Sequence, residues 1–501
     1  MSEEEQVKNV SSNYIEYGMK MDYFTINKDF EGMKSLLIEM KDLIMDEESI
    51  EFAPFFYFIG TGYSVLCDHE RVTDRSMQNV EANEYRKLSL YYFRKAIALF
   101  EKSEHRPDML LSVYTNYANA LDSCGRVIEA LSVYRKAIDF YPKFGMAVGN
   151  YGRALEFYAN MVNYGGQYED LHWHAYQALQ RALTCRDANM HEEAINYFER
   201  KVKEYQDNFN PDALKESITY PESDLGNKEE KEYRIWCLNN HLFLNPHNDL
   251  MEIESAFAHD PITITHFTED ERKENKDSRA GEPPRWYAML NQLKEEYVYA
   301  RYLCFEGSNH KDEIHFADKE VKLSLASFEY ANYSIRIEQI KSAYKTLFSI
   351  FDQIGYFIND FFNIRLKERD ASADRVFKSS KYPMDNVAMV ALYWCYCEFS
   401  EKYGEADNPS EKNLKILRNA LEHKFVKVHE YPYDKKLELE DDNFYHISEA
   451  DLINQTIRML QLARERIMEL VYAIGIEESK KKNSDKAIHL DIIDFDDEWK
   501  R

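Results

Sequence analysis

The chain of 501 residues sets 63 Lys and Arg against 89 Asp and Glu, a net charge of −26, with 44% apolar residues. That length exceeds what one hydrophobic core organises, so several structural units are expected, and the acidity excludes a non-specific coat on nucleic acid, leaving room only for a local positive site. Just 16 Gly and 12 Pro leave little material for the tight turns of sheets and barrels, so the expected class is all-α.

The opening "MSEEEQVKNVSSNY" has no cationic flank before an apolar run, and no window reaches the length of a membrane span, so a cytoplasmic protein without membrane contact is expected. The seven cysteines (Cys67, Cys124, Cys185, Cys237, Cys304, Cys395, Cys397) are scattered and odd in number, which fits reduced thiols. Cys395 and Cys397 point to different faces of a helical run. Neither a metal nor a cofactor is expected.

Helical pairs begin early. "YFTINKDFEGMKSLLIEM" reads as a degenerate first repeat, and "FFYFIGTGYSVL" pairs with "LSLYYFRKAIALF", where Phe93 and Ala96 take second-helix positions. In "YTNYANALDSCGRVIEALSVYRKAIDFYP" the residues Tyr114, Tyr117, Ala118, Leu121, Gly125, Ala130, Tyr134, Ala137 and Pro142 put large side chains where helices interlock and small ones where they cross. This stretch resembles the tetratricopeptide (TPR) repeat. A further first helix starts at Val148, Tyr151, Gly152 and Leu155, and Ala175, Leu179 and Ala182 supply its partner. Residues 1–205 are thus expected to form a TPR-like solenoid, and the resemblance implies a concave face that binds a protein or peptide. Gly60 and Gly62, His172 and His174, and "HEEAINYF" lack the surroundings of a phosphate loop or a zinc helix.

Residues 206–320 read as an irregular and helical connecting region. There "YRIWCLNNHLFLNPHNDL" fits neither helix nor strand, and His241, His247 and Asp249 are expected to satisfy buried backbone. Over 321–476 the long runs ending in "SEADLINQTIRMLQLARERIMELVYAIGI" carry apolar residues near the helical period and describe a four-helix bundle. Residues 477–501 read as a charged, mobile tail holding Phe495 and Trp499.

Within the bundle, "SEKNLKILRNALEHKFVKV" reads as one helix with Ser410 at its N-cap, Arg418 and His423 five residues apart, and Asn419 on the face of His423. An Arg-Asn-x-x-x-His string in such a helix, behind TPR-like repeats, resembles a HEPN domain. The resemblance implies metal-independent cleavage of RNA in a homodimer whose two motifs share one cleft, with the ribose 2′-hydroxyl attacking the next phosphate. The residue types suit that chemistry. A histidine, with an ordinary pKa of about 6.5, moves protons at neutral pH, a role that falls to His423. Arginine presents a charged fork to phosphate oxygens, which gives Arg418 the scissile group, and Asn419 orients the imidazole or touches the phosphate.

At about 100° per residue, five residues separate Arg418 and His423 by about 140° around a helix, which is why a second chain is needed. From Glu411 to Glu430 five Lys and Arg face three Glu, a local charge of +2 that places RNA-binding roles on Lys415, Lys424 and Lys427. His429 is a further candidate for a proton or phosphate. Two plainer accounts stand beside this one: Arg418 and Glu422 as an exposed i,i+4 ion pair, and a non-catalytic adaptor whose bundle only dimerises.

Overall fold

The computed structural model describes residues 14–73, 80–103, 108–162, 165–185, 190–211, 214–215, 220, 222–264, 266–268, 285–309, 314–323, 331–367, 372–399, 409–430, 443–481 and 487–489. The chain is mostly helical and divides into two units. The first comprises Met1–Thr219 with Asp249–Met251 and Cys397–Asn413, and the second Tyr220–Asn248, Glu252–Tyr396 and Leu414–Arg501.

The first unit is built from α1 (Tyr14–Asn27), α2 (Phe30–Asp42), α3 (Ala53–Thr73), α4 (Val80–Glu101), α5 (Met109–Asp122), α6 (Val127–Phe140), α7 (Gly145–Met161), α8 (Gly165–Thr184) and α9 (Glu192–Asn208). Consecutive helices pack as hairpins: α3 with α4, α5 with α6, α7 with α8. The residues that the sequence placed at helix crossings are buried, among them Tyr117, Ala118, Leu121, Ala130, Tyr134 and Ala137. Gly125 turns the chain between α5 and α6 at φ 78, a conformation that side chains with a Cβ rarely adopt. Among the described residues one helical stretch, Ile50–Val72, is long and apolar enough to cross a membrane. Its Phe52, Phe55, Phe56 and Ile59 are buried inside this unit, as in a core helix.

A 34-residue offset relates α5 to α7 and builds a polar row between them. Asn150 Nδ2 donates to Asn119 Oδ1 at 3.1 Å, and Arg153 Nη2 to Asp122 Oδ2 at 2.5 Å. Deeper in the unit, the His172 Nδ1 lies 2.7 Å from the Tyr205 hydroxyl, and the ring stacks on Phe209. Burial pushes this imidazole down from 6.5 to about 4. The folded chain therefore keeps His172 neutral where the unfolded chain binds a proton. Its stabilising contribution is present above about pH 6.5 and is lost as the pH falls to about 4. The substitution His172→Gln should flatten this acid limb of the stability curve by up to about 3 kcal/mol, read by chemical denaturation at stepped pH.

The second unit contains α10 (Lys228–Asn239), β1 (His266–Thr268), α11 (Arg285–Asn309), α12 (Phe316–Lys319), α13 (Ile335–Phe361), α14 (Ala373–Phe377), most of α15 (Val387–Phe399) and of α16 (Pro409–His423), β2 (Phe425–His429), β3 (Phe444–Ser448), α17 (Glu449–Ser479) and β4 (Ala487–His489). Part of the segment read as irregular is helical, because Asn227 and Glu230 form a reciprocal capping box that starts α10 ahead of "YRIW". After α10 the chain makes an ordered turn whose backbone is satisfied from all sides. Asn248 Oδ1 accepts from Phe243 N, Asp260 Oδ1 from Leu244 N, and His241 Nδ1 sits 2.6 Å from Asn248 O. Burial alone would raise the Asp260 carboxyl, but Arg301, which grips it through both Nη atoms, holds it below its ordinary value.

The core of the unit lies between α13 and α17, with α11 alongside both. In α13, Ile337, Ile340, Tyr344, Leu347, Phe351, Ile354 and Ile358 are buried at helical spacing, and in α17 the stretch from Leu462 to Ile474 is buried all round. Asn386 opens α15 by accepting from Ala388 N and donating to Ala473 O of α17. The mobile tail expected from the charge pattern is partly a strand: β4 pairs antiparallel with β1, His489 opposite His266. Phe495 and Trp499 lie outside the described residues.

Candidate functional site at the end of helix α16

Helix α16 begins with Pro409, whose fixed φ and missing N–H suit a first helical position, so Ser410 stands inside the first turn instead of at the cap. Leu414, Leu417, Ala420 and Leu421 are buried along one face. The hydroxyl of Tyr344, on α13, donates to Leu414 O at 2.6 Å.

The helix ends sooner than expected. Lys424 N still bonds to Ala420 O at 2.8 Å, but Phe425 N turns to Asn443 O at 2.9 Å, and the chain continues as a strand. Lys424 and Lys427 therefore leave the helix, and His429, expected about one and two-thirds turns beyond His423, sits at the end of β2. The reason is the composition of "FVKVH": two β-branched valines alternating with Lys427 and His429 fit a half-buried strand better than a last helical turn. β2 pairs in parallel with β3, Phe425 opposite Phe444 through His429 opposite Ser448. Its other edge is covered where Asn332 N donates to Val428 O at 2.7 Å and Ala331 bridges His429. Val428 and Ile447 face the core.

Arg418 and His423 part company at this helix end. The half-buried Arg418 guanidinium lies 5.3 Å from the centre of the Phe348 ring on α13, and its Nη1 donates to Asn419 Oδ1 at 3.1 Å. Partial desolvation raises the Asp352 carboxyl one turn further along α13, and the nearby Arg418 charge opposes that rise. Arg418 makes no ion pair with Glu422 or with another carboxylate among the described residues, so the plain i,i+4 account does not describe it. Asn419 is exposed and serves Arg418, not His423. His423 is exposed as the last helical residue. Lys415 is half-buried on α16, Lys424 is exposed, and the Lys427 ammonium stands 3.8 Å from the centre of the Phe444 ring.

Sequence reasoning missed the strand pair and what it carries. His429 Nε2 lies 2.8 Å from His446 Nδ1, with the rings stacked at 12°. The signal was the alternation of Val426 to His429 and the β-branched and aromatic residues of "FVKVH" and "FYHIS", hidden in a chain dominated by helical spacing. Elsewhere in the unit, Cys395 and the carboxylates of Glu465 and Glu469, all buried, bring donor atoms within 4.8 Å of one another, one thiol and two carboxylates that could hold a cation. The Cys395 thiol points at Glu469 Oε2 at 3.8 Å.

Residues 278–477, which contain every residue of this site, match the family model described as LA2681-like HEPN. The C-terminal part of the chain is thus similar to a HEPN domain. No curated protein and no solved structure matches the chain. The HEPN match starts ahead of α11, so the long α11 belongs to the matched region together with α13 through α17.

The candidate site hangs on the junction of α13 with α17. Glu449, first residue of α17 and directly after β3, accepts from both Nη atoms of Arg336 at 3.0 and 2.7 Å, and Asn332 Nδ2 adds a third bond at 3.2 Å. Replacing Glu449 by Gln leaves a largely buried guanidinium short of its charge partner and should destabilise the unit by about 3 kcal/mol or more, measured as a loss in denaturant midpoint with the slope unchanged.

Proposed function

We propose that the protein is a metal-independent endoribonuclease whose site is built on Arg418, His423 and Asn419. The observation that carries this reading is the Arg418 guanidinium, propped on Phe348 and held by Asn419 with no carboxylate ion-paired to it among the described residues, on the helix whose exposed end is His423. A phosphate is the natural partner of such a fork. Arg418 holds the scissile phosphodiester and stabilises the charge that develops on it. His423 takes the proton from the ribose 2′-hydroxyl, or returns one to the leaving 5′-oxygen, so that a 2′,3′-cyclic phosphate forms as the P–O5′ bond breaks. Lys415, Lys424 and Lys427 attract the flanking phosphates.

Because Arg418 leans toward α13 while His423 projects from the helix end, the reading takes a homodimer in which the arginine of one copy works with the histidine of the other. Toxin or antiviral-effector activity fits such chemistry. The N-terminal hairpins then act as a TPR-like receptor, with the row of Asn116, Asn119, Asn150 and Arg153 on α5 and α7 offering side-chain hydrogen bonds to an extended peptide that governs the nuclease.

The test is cleavage of labelled single-stranded RNA by the full chain in the presence of EDTA. The parent should cut RNA and not DNA and leave 2′,3′-cyclic phosphate ends. His423→Ala and Arg418→Ala should each lose about 10²-fold or more in rate, and mixing the two variants should restore a part of it through mixed dimers. Equal rates in all three proteins, or loss of cutting with the chelator, would refute the reading, and a chain that cuts nothing while still dimerising would be the adaptor.

A further inference from the structure

The outward face of the β2–β3 ribbon is a row of rings. Phe425, Lys427 and His429 alternate with Val426 and the buried Val428, so they share the face opposite Val428, and the parallel register sets Phe444 and His446 beside them. Ring centres are 5.6 Å apart from Phe425 to Phe444, 6.5 Å from Phe444 to His446, and 5.1 Å from His446 to His429. Burial declines along the row: His429 is buried, Phe444 half-buried, and Phe425 is 70% exposed. The Lys427 ammonium rests against the Phe444 ring.

A phenyl ring held in the open at the end of a rigid aromatic row, two residues after His423, is a surface awaiting a flat partner. Its surroundings say which. The ring sits in a segment, Glu411 to Glu430, that carries +2 in a chain of charge −26, so an anion is drawn there. We infer that Phe425, backed by Phe444, is a stacking subsite for an unpaired nucleobase of RNA, with Lys427 beside it to take the adjoining phosphate. Base faces are open in single strands and closed inside an A-form duplex, so the subsite selects unpaired RNA. This rests on the ribonuclease reading above and adds its substrate class.

Binding is measured on the full chain carrying His423→Ala, which should not cut, by fluorescence anisotropy with a short labelled RNA, single-stranded or annealed to its complement. The single strand should bind more tightly than the duplex. Adding Phe425→Ala should weaken the single strand by about 5- to 150-fold, the worth of one stacked base, and leave the duplex unchanged, while Phe425→Trp should restore it. Unchanged single-strand binding in Phe425→Ala, an equal loss for both RNAs, or a drop in solution mass that makes Phe425 a subunit contact would each overturn the subsite. If the parent still cuts RNA in those cases, the ribonuclease reading survives; if the parent neither cuts nor binds RNA, both fall.

Discussion

The backbone N–H of Phe425 bonds across to Asn443 instead of back along α16, and that change of partner ends the helix at His423. The site is a consequence of it. A helix-terminal histidine is exposed on the side where the chain departs, whereas Arg418, more than a turn earlier, still lies against the flank of α13. The strand that takes over brings Lys427, His429, Phe444 and His446 to the end of the helix, where further turns of α16 would have spread "FVKVH" around a cylinder.

In the second unit several guanidinium groups satisfy backbone carbonyls. Arg464 donates to Phe243 O and Asn245 O, Arg466 to Cys395 O, Arg301 to Leu242 O, and Arg336 to Gly307 O. Apart from that of Cys395, which lies inside α15, these carbonyls belong to a turn or a last helical turn, where a backbone oxygen lacks an intrahelical partner, and a buried orphan there costs about 1–3 kcal/mol. Arg301 and Arg336 are also paired with Asp260 and Glu449, so their charge does not stand alone in the interior. Arg418 differs from all of them. It has a ring and a side-chain amide for company, and its charge is felt by the Asp352 carboxyl without an ion pair between them.

Much of this was legible beforehand. The small number of Gly and Pro, the helical spacing in α13 and α17 and the buried crossings of the N-terminal hairpins follow from side-chain size and period, which act over a few turns and do not depend on distant partners. The location of Arg418 and His423 on one helix was readable for the same reason. Reading "HKFVKV" as more of that helix failed because β2 owes its existence to β3 and to residues 331–332, pieces of chain that no local window contains. The role given to Asn419 also depended on a rotamer: the amide turns toward its sequence neighbour Arg418, and helical spacing alone could not choose between that and His423.

Residue order alone was enough to prescribe a helical chain in at least two units, a recurrence of 34 residues near the N-terminus, and an Arg-Asn-x-x-x-His string on a C-terminal helix inside a locally positive stretch. Where that helix stops, which side chains prop the arginine, and that two short strands line up a row of rings behind the histidine became fixed only in the folded chain. The physical reason is range. Helical period and local charge are properties of neighbours in sequence, while a strand pair, a cation over a ring and a buried ion pair exist only between segments that folding brings together.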